Sequence, residues 1–535
     1  MSEEILRGDT YSKSAIPFIG RGSEYLLLTN KYTAYQGLIT RKQNKTYKIL
    51  DYIDLHEEII RTHTTKDTIH CYTKHNKYVI TVNDGYVEIK PTYQTKITLV
   101  ADCRYTDSTP AFGRNYEVSF SKNITHVTYT HNDERFDFTI QGHIEEYLEN
   151  WVKKEYAYDK RRGEDGERYV YELGVFTASQ NSPLEIAWYT EQTPYHHRMH
   201  QFLYQTDRKR LCAGYPWFQE TWARDEVISV EPYIRRGEHT VAKEILLSYI
   251  GKKDVSSVIG GDLPSADTQG WLARRLIQLD NKKSLTEKES KRIYAHFTSY
   301  IEDKTDSTGL IHNEDLETWM DTAGGTDDTR RGYCVEIQFG LLAMYELLTK
   351  LSSRINKDPK EHELNHVKKV IKKLFVKDNL LHDRYVDGSV DKTKRPNVFL
   401  AWYLYPQGIR RKIWMKTFKD IIHHCWCDWG GLTSIGKNDE KYHPRYTGKN
   451  NKSYHRGDSW YYVNNIAAIA MYNIAKHTFM KHIHKIHEAS LKDWEHLGAI
   501  GACSEISSAE KQTGEGTFSQ AWSMATLDEL NKVLR

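Results

Sequence analysis

From Glu24 to about Tyr189 the chain runs in short segments whose apolar and polar positions nearly alternate, among them EYLLLT, TAYQGLIT, KTYKILDYI, TKITLVA, NYEVSF and HVTYT. A period of two sends successive side chains to opposite faces, so this stretch predicts antiparallel sheet. The sharpest piece is Tyr78 to Lys90, where YVITV and YVEIK flank Asn83-Asp84-Gly85. The glycine accepts positive φ, and the segment predicts a hairpin. The charged run DKRRGEDGER, residues 159–168, reads as an exposed loop between strands.

Beyond about Pro194 the period lengthens to 3.6. Ile337, Leu341, Met344, Leu348 and Leu351 fall on one helical face, and Val241, Ile245 and Tyr249 repeat at four with Gly251 placed to end that helix. Leu364, Val367, Ile371 and Leu374 form another stripe, with Lys368, Lys369, Lys372 and Lys373 on the outer side. The pattern predicts a β domain over residues 1–190 and an all-helical domain of ten or more helices over residues 191–535. Stacked helical repeats would show a period of ~30 to 50 residues, and none is visible. The interhelical loops instead differ in length and several are dense in Trp, Asp, Glu, Arg and His, as in a scaffold built around one active site.

Composition narrows the function. The 535 residues carry 75 Lys+Arg against 72 Asp+Glu, a formal charge of +3, which lacks the concentrated basic surface of a nucleic-acid binder. The apolar content is unusually aromatic, with 13 Trp, 37 Tyr and 15 Phe, which suits a site that stacks sugars or bases as well as an ordinary core. Seven scattered cysteines do not form a disulfide framework. The N-terminus MSEEILRGDTYSK has no apolar core of a signal peptide, and no stretch approaches the ~18 to 20 apolar residues of a membrane span. A cytoplasmic location is expected, with no membrane partner, and the sequons at Asn44, Asn123 and Asn451 read as chance matches.

Five blocks could carry chemistry. In AGYPWFQETWARDE, residues 213–226, Trp217 and Trp222 accompany Arg224 and Asp225, adjacent charges of opposite sign that can donate to one hydroxyl and accept from the next. A plain helix start explains the same acid. In GLIHNEDLETWMDTAGGTDD, residues 309–328, six acids surround Trp319, and Asp321 follows Trp319 and Met320. Apolar walls would raise its pKa, as a general acid requires. Calcium binding lacks the spacing of its loop motif, and solvated acids remain a third reading. Glu336 opens the helix of the Ile337 face, either as an anion at a helix N-terminus or as an acceptor for a sugar hydroxyl. The segment YHPRYTGKNNKSYHRGDSW, residues 442–460, holds Tyr454, His455, Asp458 and Trp460 ahead of the apolar run VNNIAAIAMYNIA, an interior helix whose preceding loop should reach a central cavity. The last block, from Gly501 to Leu527, contains Glu505 and SQAWS. No metal is expected: the His423–Cys427 cluster has the wrong spacing, and His477, His482, His484 and His487 read as a solvated helix face.

Taken in order, AGYPWFQETWARDE, TWMD with VEIQ, YHRGDSW and SEI with QAWS resemble the amylo-α-1,6-glucosidase part of glycogen debranching enzymes, a family related to glucoamylases. The resemblance spans about residues 213–527. It implies an N-terminal antiparallel β-supersandwich followed by an (α/α)6 barrel, with the site in the barrel mouth. It also implies an inverting, exo-acting α-glucosidase that cleaves α-1,6 branch-point glucose from glycogen or branched maltooligosaccharides, with no cofactor. By motif, Asp321 corresponds to the general acid and Glu505 to the base, with Trp217, Arg224, Asp225, Trp319, Glu336, His455 and Trp460 around the sugar. Inversion implies carboxyls ~6.5 to 9.5 Å apart with a water between them. The chain departs from the family in reading Trp-Ala-Arg-Asp for W-G-R-D and YHRGDSWYYVNN for Y-H-Q-G-T-V-W-P-W, which bears on linkage preference. It shows nothing like a separate glucanotransferase domain. A glucoamylase, a trehalase or a non-catalytic glycan-binding protein are the alternatives.

Overall fold

The computed structural model describes residues 10–12, 16–21, 24–29, 32–42, 45–65, 67–106, 108, 112–189, 197–252, 255–256, 264–322 and 330–535. The boundary expected between 190 and 191, the sequon at Asn44 and the acids Asp327 and Asp328 lie outside these residues.

The N-terminal region is an antiparallel β-sandwich. One sheet of nine strands runs from Thr10–Ser12 through the hairpins of residues 61–91 to Leu184–Trp188 and the meander Glu134–Gln141, Ile124–His131, Asn115–Ser121. The other has seven strands, from His143–Glu155 through Glu167–Ala178, Thr95–Tyr105, Lys45–Asp54, Gly37–Lys42 and Glu24–Leu27 to Phe18–Arg21. The expected hairpin is present: Asn83 pairs with Tyr86 across Asp84-Gly85, and Gly85 has φ 72°. Its first strand alternates between half-buried and buried positions, as its period of two requires.

Within the seven-stranded sheet, Glu24–Leu27 is buried on both faces, and this explains why EYLLL does not alternate. Leu26 and Leu38 face the opposing sheet with Ile69, Tyr78 and Ile80, whereas Tyr25, Leu27 and Ile39 join the core of the helical region. Tyr25 stands 4.9 Å from Tyr215, ring to ring, across that junction. A strand packed on two sides needs apolar residues at consecutive positions.

Twelve α-helices are described: α1 Ala157–Arg162, α2 Ala223–Ser229, α3 Glu231–Arg235, α4 His239–Leu247, α5 Thr268–Asn281, α6 Glu287–Lys304, α7 Val335–Ser352, α8 Glu361–Phe375, α9 Asn397–Leu404, α10 Arg411–Cys425, α11 Tyr461–Lys492 and α12 Ala521–Leu534. Eleven follow residue 197, in line with the helical pattern. The expected stripe on α7 is buried, but Phe339, Leu342, Ala343 and Leu347 are buried too, because α7 packs on α5 and α9 as well as on α6 and α8. Successive contacts run α2–α5–α7–α9–α11–α12 and return from α12 to α2. Helices in this cycle touch neighbours on several sides, so α9 is buried at every position, while α8, outside it, buries only Leu364, Val367, Ile371 and Phe375. α5 and α7 approach to backbone contact, since a Cβ on Gly270 would stand 2.7 Å from the Gly340 Cα. Ala475, at φ −163°, breaks α11 into an apolar first half and a histidine- and lysine-rich second half.

Two expectations change. Residues 157–162 form α1 rather than a loop, because Asp159 turns inward to accept hydrogen bonds from Thr33 Oγ1 (2.8 Å) and the Ala34 N–H (2.7 Å). The histidine face of α11 is also only partly solvated: His482 packs edge-on against Trp426, and His487 Nε2 lies 2.6 Å from Asn531 Oδ1. All seven cysteines are buried and unpaired. Among the described residues no helix is long and apolar enough to cross a membrane.

Candidate active site

The blocks singled out by sequence lie just ahead of α2, α7, α11 and α12, so the segments between helices converge at the N-terminal ends of the cycle. Two short antiparallel pairings fix them to one another: Gly214–Tyr215 with Ser519–Gln520, and Ser459–Trp460 with Ile506–Ser507. Between them opens a cavity of about 290 Å³, at the small end of ligand sites, which suits one or two sugar rings. Trp217, Arg224, Asp225, Trp319, Asp321, Trp460 and Glu505 line it.

Asp321 is held by two groups from distant segments. Arg224 Nη1 donates to its Oδ2 at 3.2 Å, and His455 Nε2 stands 3.7 Å from its Oδ1. Arg224 is itself clamped by Asp267, with Nε 2.8 Å from Oδ2. Burial pushes the Asp321 carboxyl up, but His455 and Arg224 more than offset this and leave it below its ordinary value. The raised pKa expected from Trp319 and Met320 is therefore corrected: the effect of burial is outweighed by His455 and by the Arg224 guanidinium from α2. Burial keeps His455 neutral, at about 4, so at neutral pH Arg224 supplies the lasting charge.

Glu505, which in sequence resembles any exposed glutamate, is buried, and the Tyr454 hydroxyl donates to its Oε1. Its Oε2 accepts the Thr517 N–H at 3.1 Å. Gly516, at φ 69°, permits this approach, for a Cβ there would fall 2.2 Å from Oε2. Burial pushes the Glu505 carboxyl up to about 7 despite these donors. Asp225 is also pushed well up by burial, and it accepts a 2.8 Å hydrogen bond from Gln520 Nε2.

Two expected site residues lie outside the cavity wall. Glu336 is 1% exposed and both its oxygens are taken by Arg330, which also binds Asp383 at 3.1 Å. Asp383 accepts from Asn397 Nδ2 at 2.8 Å, and Asn397 Oδ1 accepts the Trp319 indole N–H at 2.9 Å. Glu336 thus anchors the network behind Trp319, with each of its oxygens paired to Arg330. His455 lies behind Asp321, stacked on Trp460 at 5.0 Å and edge-on to Trp319.

Other wall residues were not singled out. Tyr158 and Arg162 come from α1 of the β region: Tyr158 stacks on Trp217 at 4.7 Å, and the Arg162 guanidinium lies 5.4 Å from the Trp217 ring centre. Neighbouring Arg161 bonds Glu515 at 2.8 Å, tying α1 to the segment that carries Gly516. The sheet domain therefore contributes to the cavity and does more than pack against the helices. Tyr454, named only as part of its block, was findable by its place one residue before His455.

The cavity also offers donors that no protein group uses. Arg224 Nη2 and the indole N–H groups of Trp217, Trp222 and Trp522 are buried without a protein acceptor, and all four residues line the wall. Buried donors are normally paired, so four around one space define a site for a ligand rich in oxygen acceptors. Combined with the flat indole faces and two carboxyls, the arrangement can hold a polyhydroxylated ring and exchange protons with it.

Residues 277–529 match the family model for amylo-alpha-1,6-glucosidase. In fold, the chain is similar to a bacterial glucoamylase crystallised with acarbose, which is 11% identical and aligned over 98% of this chain and 94% of that one, with a TM-score of 0.62. A GH63 mannosylglycerate hydrolase from Thermus thermophilus, in complex with Tris and D-glycerate, aligns over 60% of this chain and 95% of its own at 12% identity and a TM-score of 0.45. No curated protein matches the chain in sequence.

Proposed function

From a chain whose residues 277–529 match the amylo-alpha-1,6-glucosidase family, we propose an inverting, exo-acting α-glucosidase that removes α-1,6-linked branch-point glucose from glycogen-like glucans and branched maltooligosaccharides. The observation that carries this reading is the cavity that brings Asp321 and Glu505 together among four unpartnered N–H donors and stacked aromatic rings. The cyclic contacts of α2, α5, α7, α9, α11 and α12 support reading these six helices as the inner ring of an (α/α)6 barrel.

In the proposed reaction the Asp321 carboxyl gives its proton to the glycosidic oxygen as the bond to the anomeric carbon breaks. Glu505 takes a proton from water, whose oxygen attacks that carbon from the opposite face, giving β-glucose and a shortened alcohol. Arg224, Asp225 and the indoles of Trp222 and Trp522 hold the non-reducing glucose. Tyr158, Trp217 and Arg162 flank the leaving sugar. Below about pH 7 the free protein holds one proton on the pair, since Glu505 titrates near 7 and Asp321 below the usual carboxylate range. That is the proton count the reaction needs, but the proton rests on Glu505, so the productive form is the minor one and binding must move it to Asp321.

A proton NMR time course on panose, which carries an α-1,6 and an α-1,4 bond, tests the proposal. Loss of the α-1,6 anomeric signal with β-glucose appearing first is expected. Faster release of glucose from maltose, followed in parallel, than from panose would make the chain a glucoamylase in activity, α-glucose first would refute inversion, and binding without glucose would leave a glycan-binding protein.

A further inference from the structure

Away from the cavity, His197, His200 and Glu238 converge. His197 Nε2 lies 2.6 Å from Glu238 Oε1 and His200 Nε2 lies 2.8 Å from Glu238 Oε2, and the two imidazole centres are 4.2 Å apart. The pair is built by a short 3₁₀ turn, Arg198–Phe202, in which residues three apart lie one above the other. We propose that this group is a binding site for one divalent cation of the zinc class, held by the two imidazole Nε2 atoms and the Glu238 carboxylate.

Three features favour a metal over hydrogen bonding alone. First, the donor set is two nitrogens and one carboxylate, which suits zinc or its neighbours and not calcium or magnesium, both of which take oxygen ligands. Second, the imidazoles are positioned in advance. They are 3% and 2% exposed, the His200 ring lies parallel to Tyr233 at 5.5 Å, and the Tyr233 hydroxyl holds the Met199 carbonyl at 2.9 Å. Third, the remaining ligand has room to move. Zinc bonds of ~2.0 to 2.2 Å place ligand atoms roughly 3.3 Å apart around a tetrahedral ion, so the carboxylate must withdraw by about half an ångström. Glu238 is 25% exposed at the start of α4, so it is less confined than the two buried imidazoles. The nearby Arg236 does not oppose the ion with a bare charge, since its Nη2 is paired with Asp528 at 3.1 Å.

Three protein ligands leave a coordination position for water, but none of the three residues lines the sugar cavity, so the ion has a structural place. Between the two histidines, Arg198 reaches Thr64 Oγ1 and the Thr65 carbonyl of the sheet region at 3.1 Å and the Gly501 carbonyl at 3.3 Å. A cation here fastens this junction onto the turn between α3 and α4.

The test uses the full chain with any purification tag removed, titrated with zinc chloride by calorimetry and with cobalt(II) by visible absorption. One equivalent per chain is expected, with a zinc-dependent rise in the thermal midpoint. His197→Gln, His200→Gln and Glu238→Gln should each weaken uptake by at least ~10 to 100-fold, the loss seen even for outer partners of metal ligands, while glucose release is unchanged. Absence of stoichiometric uptake by the parent protein, or equal uptake by all three variants, overturns the proposal. Glu238→Gln keeps a hydrogen-bonding side chain of the same shape, so a folded variant is available whichever way the histidine changes behave.

Discussion

The sharpest prediction concerns which carboxyl carries which role. Glu505 titrates near 7 and Asp321 lies below its ordinary value, so before sugar binds the shared proton favours Glu505 over Asp321, and the form with the proton on Asp321 is the minor one. Because either assignment uses the same singly protonated pair, both give the same pH limbs, and a pH profile alone cannot assign the roles. The leaving group can. Asp321→Asn should lower kcat on isomaltose by ~10² to 10⁴-fold through loss of acid assistance, and far less on α-glucosyl fluoride, whose fluoride departs without a proton. Glu505→Gln should lose activity on both substrates, since water activation is needed for each. Steady-state kinetics of both variants on both substrates decide the matter. If the fluoride rescues Glu505→Gln and leaves Asp321→Asn inactive, the roles are exchanged and the free-protein proton already sits on the acid.

The parent kcat/KM should fall about tenfold per pH unit above about pH 7, as the pair loses its single proton from Glu505. Tyr454→Phe removes a hydrogen bond that lowers the Glu505 pKa, so that limb should move to higher pH in a rate profile; an unmoved limb would show that another group titrates there. Gly516→Ala, strained at φ 69° and placing a Cβ against Glu505, should lower kcat by ~10²-fold with the fold retained by circular dichroism. Glu336→Ala strips one partner from buried Arg330 and should cost ~3 to 5 kcal/mol in urea unfolding, whereas a cavity-wall role would instead raise KM without loss of stability.

The fold was legible where one local rule acts alone. Tyr78–Lys90 alternates and carries its own turn, and α8 shows its stripe because only one face meets the protein. Elements packed on several sides hide their period: α9, NVFLAWYL, is buried throughout, and Tyr25, Leu26 and Leu27 are divided between two cores. α1 was misread because DKRRGEDGER has the composition of a solvated loop, whereas its helix is decided by Asp159 capturing Thr33 and Ala34, more than a hundred positions upstream.

The site was legible as residue types and illegible as electrostatics, for the same reason. The motif blocks name Asp321, Glu505, Arg224 and Asp225, and all four line the cavity. What each carboxyl does with a proton is set by partners from other segments: Arg224 from α2 and His455 from the segment before α11 act on Asp321, and Tyr454 and Thr517 act on Glu505. Trp319 and Met320, adjacent to Asp321 in sequence, point to a raised pKa, yet His455 and the Arg224 guanidinium, both brought in from other segments, reverse the sign. The same cycle explains the misplacement of Glu336. Its position two residues after Cys334 in a chemically dense block resembles that of a sugar ligand, but Arg330 and Asp383 close over it once α7 packs beside α9. In the cavity wall, Arg224 Nη2 has no protein acceptor and is available to a substrate hydroxyl. If sugar hydroxyls draw the guanidinium away from Asp321, one of the two groups that lower its pKa is lost, the carboxyl rises, and the proton gains a reason to leave Glu505. On this argument, substrate binding itself prepares the acid.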